Sequence, residues 1–242
     1  MKASVRRVET LDNETVHAMY ALFSRYYENV PAGRFAEDLR SKDRVILITN
    51  GAGSIVGFST IAIHELAAGG RSVRVVFSGD TIIDHRHWGS QTFAFAWVRE
   101  IGRIKAEAPE LPLYWLLISK GYRTYRYLNA FALNFTPDWQ GREHPALDRI
   151  RHEIAAQLFG ADYDPATGVI SFAETRGHLA PRWAALSEQE RARPDVRFFL
   201  ERNPGFARGD ELVCLCSLEP DNMKPLTRRL FEQGMKACTA GS

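Results

Sequence analysis

The chain has few cysteines, almost no net charge and no long apolar run, and each absence excludes a class of protein. Its three cysteines, Cys214, Cys216 and Cys238, are an odd number, which argues against a disulfide framework and is typical of a reducing cytoplasm. A formal net charge of +2 gives no sign of a nucleic-acid partner. No apolar run approaches the ~20 residues of a membrane span, and the N-terminus lacks the apolar segment of a secretory signal. We therefore expect a cytoplasmic protein.

What is present is typical of a globular protein, with 45% hydrophobic and 25% charged residues over a length of 242. That length is sufficient to bury a substantial core. Cys214 and Cys216 lie two apart in the apolar run ELVCLCSL, so they share one face of a predicted strand. No further ligands stand near them at metal-site spacing. We interpret both as small buried residues and expect no metal site.

The hydrophobic patterns predict a mixed sheet with helices on its faces. The predicted strands cover 3–9, 44–49, 55–64, 72–83, 113–119, 132–137, 167–172 and 211–218. The predicted helices cover 14–28, 34–42, 90–107, 122–131, 147–158, 183–191 and a last segment from Pro225 to about Gly234. The pattern over 196–201 is ambiguous.

The most informative stretch is 73–104, where a buried strand leads through a short polar turn directly into an amphipathic helix. The turn contains Arg86 and Gly89, separated by two residues. The first N–H groups of such a helix are unpaired, and the helix dipole adds positive potential, so the turn predicts an anion site. The next strand, 113–119, would be parallel to 72–83 through a right-handed crossover.

This order of elements resembles the GNAT superfamily of acyl-CoA-dependent N-acyltransferases over residues 3–137. The family's pyrophosphate loop, [Arg/Gln]-x-x-Gly-x-[Gly/Ala], is matched by 86–91, RHWGSQ, in which Gln91 stands where a small residue is usual. The resemblance implies an α/β (α+β) fold with a central, mostly antiparallel mixed sheet flanked by helices. It also implies that strands 72–83 and 113–119 separate near their ends and hold the pantetheine arm of the acyl donor.

The activity implied is direct attack of a primary amine on the thioester of acyl-CoA, or of an acyl carrier protein, with no metal or redox cofactor. We expect a small-molecule amine as acceptor, no nucleic-acid partner and no membrane span. The resemblance places the cosubstrate at one set of residues: Ile82, Ile83, Arg86, His87, Trp88, Gly89, Ser90, Gln91, Ser119 and Arg123. The alternative from another class is a non-catalytic GNAT-like module that binds acyl-CoA or a protein partner.

The resemblance also implies catalytic residues. Asp80, late on the strand before the loop, is the candidate general base, with a turn or capping role as its structural alternative. His64 and Glu65 are the other candidate bases, and a histidine has the better-suited ordinary pKa. Tyr127 is the candidate acid for the leaving thiolate, although the register of that helix leaves Tyr125 open as well.

Three basic residues, Lys120, Arg123 and Arg126, recur every three positions after the central strand. They are interpreted either as a solvated helix face or as contacts to the adenosine 3′-phosphate or a carrier protein.

We expect a GNAT-like core at 1–140 and a C-terminal α/β extension at 141–242, packed as part of one domain, with 136–145 as the candidate boundary. Four aromatic residues of the extension could wall a pocket for a larger acyl chain or acceptor, or could form its core: Trp183, Phe198, Phe199 and Phe206.

Overall fold

The computed structural model describes residues 1–173 and 176–239, in which strands and helices alternate along the chain. The strands are Lys2–Arg7 (β1), Tyr27–Glu28 (β2), Arg44–Thr49 (β3), Ile55–Ala68 (β4), Arg71–Ile83 (β5), Leu113–Ser119 (β6), Tyr163–Asp164 (β7), Val169–Ile170 (β8), His178–Leu179 (β9) and Glu211–Ser217 (β10). The helices are Asn13–Phe23 (α1), Ala32–Arg40 (α2), Thr92–Glu107 (α3), Tyr122–Phe131 (α4), Pro145–Phe159 (α5), Pro181–Ala184 (α6), Glu188–Arg191 (α7), Pro194–Arg202 (α8) and Pro225–Thr239 (α9). None of the helices within these described ranges has the length and apolar character needed to cross a membrane.

A mixed sheet runs through the molecule in the order β1, β3, β4, β5, β6, β10, β8, β7. Neighbouring strands are antiparallel, except β5 and β6, which are parallel and joined by the crossover helix α3. Strands β2 and β9 form a separate two-stranded pair. The predicted fold class, a mostly antiparallel mixed sheet flanked by helices, is confirmed.

The two faces of the sheet are covered differently because successive strand residues point to opposite sides. On one face, Val76 and Trp115 pack with α3, α4, α8 and α9 in a single apolar cluster. On the other face, α1 and α2 cover one end of the sheet. Helix α5 covers the other end, where Val75 and Leu116 lie. The space between α2 and α5 on this second face contains the cavity described below.

Strands β3 and β6 and helix α4 have the predicted bounds, but the predicted strand 132–137 is wrong. That segment makes only two isolated bridges, Ala132 with Met223 and Thr136 with Leu215. The next residue, Pro137, has no amide hydrogen to donate, so the pairing with β10 stops after one bridge.

Several predicted bounds are corrected by contacts between distant segments. The helix predicted over 14–28 ends at Phe23, because Tyr27 and Glu28 pair with β9. The single helix predicted over 183–191 is two short helices, since Ser187 starts α7 with a capping box. The ambiguous segment 196–201 is helical within α8.

The C-terminal part continues the sheet of the N-terminal part. Strand β10 pairs with β6, and α9 packs along α3. The candidate boundary at 136–145 contains buried residues, among them Thr136 and Asp138, and is unlike an exposed linker. We propose that the predicted core and extension form one folding unit.

Two glycines set the distance between α3 and α9. A Cβ on Gly102 would lie 2.1 Å from the carbonyl oxygen of Phe231, and one on Gly234 would lie 2.0 Å from that of Arg99. The two helix backbones are therefore in direct contact. This contact also corrects the sequence interpretation of Gly234, which lies inside α9 and does not end it.

We predict that Gly102→Ala lowers the free energy of unfolding by about 2 kcal/mol or more, because the new methyl group forces the two helices apart. Gly33→Ala is the matched control: it lies in α2 with nothing within 4 Å of its Cβ position. The control should stabilise the protein by about 0.5–1 kcal/mol. Urea denaturation measures both, and equal effects of the two variants would contradict the close packing.

Candidate functional site

Strands β5 and β6 separate in the middle of the sheet. Their pairing runs from Arg74 opposite Leu113 to Ser78 opposite Leu117 and stops there, while β5 continues to Ile83. On its other side β5 stays paired with β4. Beyond Ser78, the edge of β5 that faces β6 is therefore open, as the resemblance implied.

A β-bulge lies at the point of separation. The register between β4 and β5 changes from Ser59 opposite Thr81 to Ile61 opposite Ser78, so Thr60 faces two residues of β5, Gly79 and Asp80. A bulge bends a strand and increases its twist, which turns the end of β5 away from β6.

Two residues at the bulge, Ser78 and Gly79, are closely surrounded by other side chains. The Ser78 hydroxyl accepts hydrogen bonds from the indole nitrogens of Trp97 at 3.2 Å and Trp115 at 2.9 Å, which fixes the last paired position. A Cβ on Gly79 would lie 2.5 Å from Thr60 Oγ1 and 2.9 Å from Lys42 Cε. The bulge therefore requires glycine at this position.

The turn after β5 leads into α3. A short 3-10 turn at His85–His87 is followed by Gly89, with a φ of +87°, and α3 begins at Thr92, two residues later than predicted. Gln91 occupies the N-cap position and makes no side-chain capping hydrogen bond. The Thr92 N–H donates to the Ser90 hydroxyl at 3.2 Å. The other first-turn N–H groups and the helix dipole are the features that the predicted anion site needs.

The Arg86 side chain makes its hydrogen bonds within the loop, to Asp84. Its guanidinium donates from Nε to Asp84 Oδ1 and from Nη2 to Asp84 Oδ2, both at 2.9 Å. The Arg25 guanidinium lies 3.2 Å from the same carboxylate, whose side chain is fully buried. These contacts hold the pKa of Asp84 well below its usual range, with the Arg86 hydrogen bond as the main cause. In this structure Arg86 holds the loop in shape.

A cavity of about 760 Å³ extends from this loop to the sheet surface between α2 and α5. It brings together seven of the predicted cosubstrate residues: Ile82, Ile83, His87, Trp88, Gly89, Ser90 and Arg123. Arg86, Gln91 and Ser119 do not line it. Ser119 is buried, and its hydroxyl donates to the carbonyl oxygen of Gly121 at 2.7 Å.

Asp80 lines the cavity at the bulge. Burial, followed by repulsion from Asp38, raises its pKa to about 6, against the opposing attraction of Lys120 and Lys42. Within the described ranges, no hydrogen bond or salt bridge reaches its carboxylate. A carboxylate with a pKa near neutral can accept a proton from a bound amine.

The two alternative bases lie in different surroundings. His64 is half-buried in β4 and lines the cavity. Burial lowers its pKa, and nearby Asp43 partly opposes that effect. Glu65 is exposed, lies outside the cavity and forms a 3.4 Å ion pair with Arg74 on β5.

The hydroxyl groups of the tyrosines on α4 differ in their partners. Tyr125 is fully buried and donates to the carbonyl oxygen of Pro137 at 2.8 Å, and Tyr122 donates to Glu190. Tyr127 lines the cavity, and its hydroxyl makes no hydrogen bond among the residues that the structure describes. Burial raises its pKa. Of the three, Tyr127 has the hydroxyl that a ligand could use.

Two ion pairs near Asp80 were not predicted from the sequence. Lys42 donates to Asp38 at 2.9 Å, and Lys120 lies 3.4 Å from Glu211. Burial raises the pKa of Glu211. Only the four-residue spacing of Asp38, on α2, and Lys42, two residues beyond the end of that helix, could have indicated a pair.

Each of the three basic residues after β6 is paired with an acid from the C-terminal part, and the side chains of Arg123 and Arg126 are also partly exposed to solvent. Lys120 pairs with Glu211 as described above. Arg123 lies 2.9 Å from Glu190, and Arg126 lies 3.2 Å from Asp195. These ion pairs attach α4 and the end of β6 to the C-terminal part.

The aromatic residues of the extension divide between the cavity and the core. Trp183 and Phe206 line the cavity, whereas Phe199 is fully buried and Phe198 packs near Tyr125. Trp183 lies 5.5 Å from Trp88 between ring centroids, above the loop. Cys214 and Cys216 are buried in β10, as expected. The side chain of Cys238 lies outside the described residues.

We predict that Arg86→Ala lowers the free energy of unfolding by about 1–3 kcal/mol and weakens CoA binding, because the buried Asp84 loses its main partner and the loop loses its shape. Arg86→Lys, which keeps the charge and loses the two-pronged contact, should have a smaller effect. Urea denaturation and calorimetric titration with CoA measure the two quantities. Weaker binding with unchanged stability would show that Arg86 contacts the ligand directly.

No family model matches the chain, and no curated protein matches it. Solved structures do. One is a protein of unknown function from Enterococcus faecalis, described as a probable N-acyltransferase, with a TM-score of 0.41 and 16% identity over 57% of this chain and 36% of that one. The chain therefore spans about a third of that protein's length.

Two further structures are smaller proteins. A GNAT family N-acetyltransferase from Escherichia coli in complex with CoA has a TM-score of 0.38 and 17% identity over 55% of this chain and 70% of that one. A ribosomal-protein-alanine N-acetyltransferase from Brucella melitensis has a TM-score of 0.39 and 17% identity over 54% of this chain and 90% of that one. At these values the likeness carries no argument about activity. Each of these three structures aligns with somewhat more than half of this chain.

Proposed function

We propose that the chain is an N-acyltransferase that moves an acyl group from acyl-CoA to a primary amine. One observation carries the proposal: the open edge of β5 leads from the anion site at α3 to Asp80 along a single cavity. The reaction needs a site for the phosphates of the donor, an unpaired strand edge for its pantetheine arm and a base for the amine. The α3 turn, the edge of β5 and Asp80 with its raised pKa supply these in sequence along the cavity.

The donor would bind along β5. Its pyrophosphate would lie at the first turn of α3, and the amides of its pantetheine arm would pair with the open strand edge beyond Ser78, as an added strand does. The thioester would then lie near the separation of β5 and β6. Arg123 and Arg126 already have carboxylate partners, so we do not assign them to the 3′-phosphate of CoA or to a carrier protein.

The transfer step would use Asp80 and Tyr127. The amine nitrogen attacks the thioester carbonyl carbon, a C–N bond forms, and the C–S bond breaks. The amine gives one proton to Asp80, directly or through a water molecule, and the departing thiolate takes a proton from the Tyr127 hydroxyl. Holding both reactants in one cavity supplies much of the rate enhancement, and proton transfer typically contributes 10²–10⁴-fold.

We predict that Asp80→Asn lowers turnover of acetyl-CoA by about 100-fold or more while CoA affinity stays within about twofold, because the amide cannot accept the proton. Thiol release measures turnover with an amine panel, and calorimetry measures CoA affinity. Asp221→Asn, at an exposed position outside the cavity, is the matched control. Full activity of Asp80→Asn would assign the base elsewhere, and His64→Gln tests that alternative.

The pH profile supplies the second measurement on these variants. Because burial raises the pKa of Asp80 to about 6, the base gains a proton as the pH falls through 6. The slope of log kcat/KM against pH should therefore increase by one unit below that pH in the wild-type protein and not in Asp80→Asn. CoA binding without turnover of any amine would favour the non-catalytic module.

A further inference from the structure

Asp80 is a half-buried carboxylate in the lining of the cavity. Neither neighbouring lysine forms a salt bridge with it, because Lys42 is bound to Asp38 and Lys120 to Glu211. Removing a carboxylate from water without a partner is costly. An ammonium group entering the cavity would supply the missing positive charge at the bulge.

The lining of the cavity also contains two arginines, Arg34 and Arg176. Neither guanidinium lies within salt-bridge distance of a carboxylate in residues 1–173 and 176–239. The Arg176 guanidinium lies 4.0 Å from the centroid of the Phe172 ring, and the Arg176 carbonyl oxygen accepts a hydrogen bond from Lys120 at 3.1 Å. A stacked guanidinium keeps its N–H groups available for a two-pronged contact with a carboxylate.

Aromatic rings also line the cavity. Phe77 precedes Asp80 by three residues on β5, and its ring lies 6.0 Å from that of Phe159 on α5, edge to face. Phe172, under Arg176, belongs to the same lining. A flat ring of a ligand can make the same kind of edge-to-face or offset contact with these side chains.

These three features occur together, and from them we infer that the acceptor is an aromatic α-amino acid, an inference that rests on the proposed acyl transfer. The ammonium group faces Asp80, the carboxylate contacts Arg176, and the ring packs against Phe77 and Phe159. Polyamines and other purely cationic acceptors are disfavoured by Arg34 and Arg176, for which the described part of the chain supplies no carboxylate partner.

The chemistry of the step is consistent with release of such a product. The ammonium group first loses one proton to solvent. The neutral nitrogen then forms the amide bond as the thioester C–S bond breaks, its second proton passes to Asp80, and the departing thiolate takes a proton from Tyr127. The N-acylated product keeps its carboxylate but has lost the ammonium charge. The attraction to the site of Asp80 is therefore lost once the acyl group has been transferred.

Three acceptors that differ by one feature test the inference: phenylalanine, 2-phenylethylamine, which lacks the carboxylate, and alanine, which lacks the ring. With acetyl-CoA as donor, kcat/KM for phenylalanine should exceed that of either other amine at least 10-fold. Arg176→Gln should lower the value for phenylalanine to that for 2-phenylethylamine and leave 2-phenylethylamine unchanged. Arg229→Gln, on the exposed side of α9, is the matched control and should change neither.

Binding provides a readout that does not depend on turnover. Calorimetric titration of the CoA-saturated protein should show the same order of affinity, with phenylalanine at least 10-fold tighter and the difference abolished in Arg176→Gln. Equal binding of phenylalanine and 2-phenylethylamine would overturn the acceptor class, whether or not amines are acylated. Absence of CoA binding would contradict the proposed function. In that case phenylalanine and 2-phenylethylamine are titrated into the protein without CoA, and equal affinities for the two would overturn the acceptor class.

Discussion

The separation of β5 from β6 beyond Ser78 and Leu117 is the feature on which the whole site depends. A strand edge inside a sheet normally has its N–H and C=O groups paired, and leaving them unpaired is costly unless water or a ligand takes their place. The bulge opposite Thr60 lets β5 keep its pairing with β4 while it leaves β6. Gly79 is the residue that makes this possible, since no Cβ fits there.

The charged side chains of the cavity come from both the N-terminal and the C-terminal parts of the chain. Asp38 lies in α2 and Lys42 two residues beyond its end, whereas Glu211, the first residue of β10, pairs with Lys120 just after β6. The pair of Lys120 with Glu211 is largely buried. Removing one member of a buried pair typically costs 3–5 kcal/mol, because the other charge remains uncompensated. The C-terminal part therefore completes the site, and the pairs of Arg123 and Arg126 with its acids hold it over the α3 loop.

The sequence was most informative where local pattern determines structure. Strand β6 was predicted with its observed bounds because it is apolar throughout, and the α3 loop was located by its glycine turn between strand and helix. The pair of Lys120 with Glu211 could not be predicted, since only the sheet order brings residues so far apart in the chain together. Tyr27 lies in the cavity although the local pattern predicted a helix there, because its pairing partner is β9. Gly234 was wrongly predicted to end a helix, because glycine is typical of helix ends. It lies instead inside α9, where the absence of a side chain allows close packing against α3.

The central claim is that CoA binds along the open edge of β5. A crystal structure of the protein with CoA tests it most directly. The account predicts the pyrophosphate at the first turn of α3, pantetheine amides paired with the backbone of Gly79–Ile83, and the sulfur near Asp80 between the separated strands. CoA bound outside this cavity, or with its sulfur far from the bulge, would contradict it.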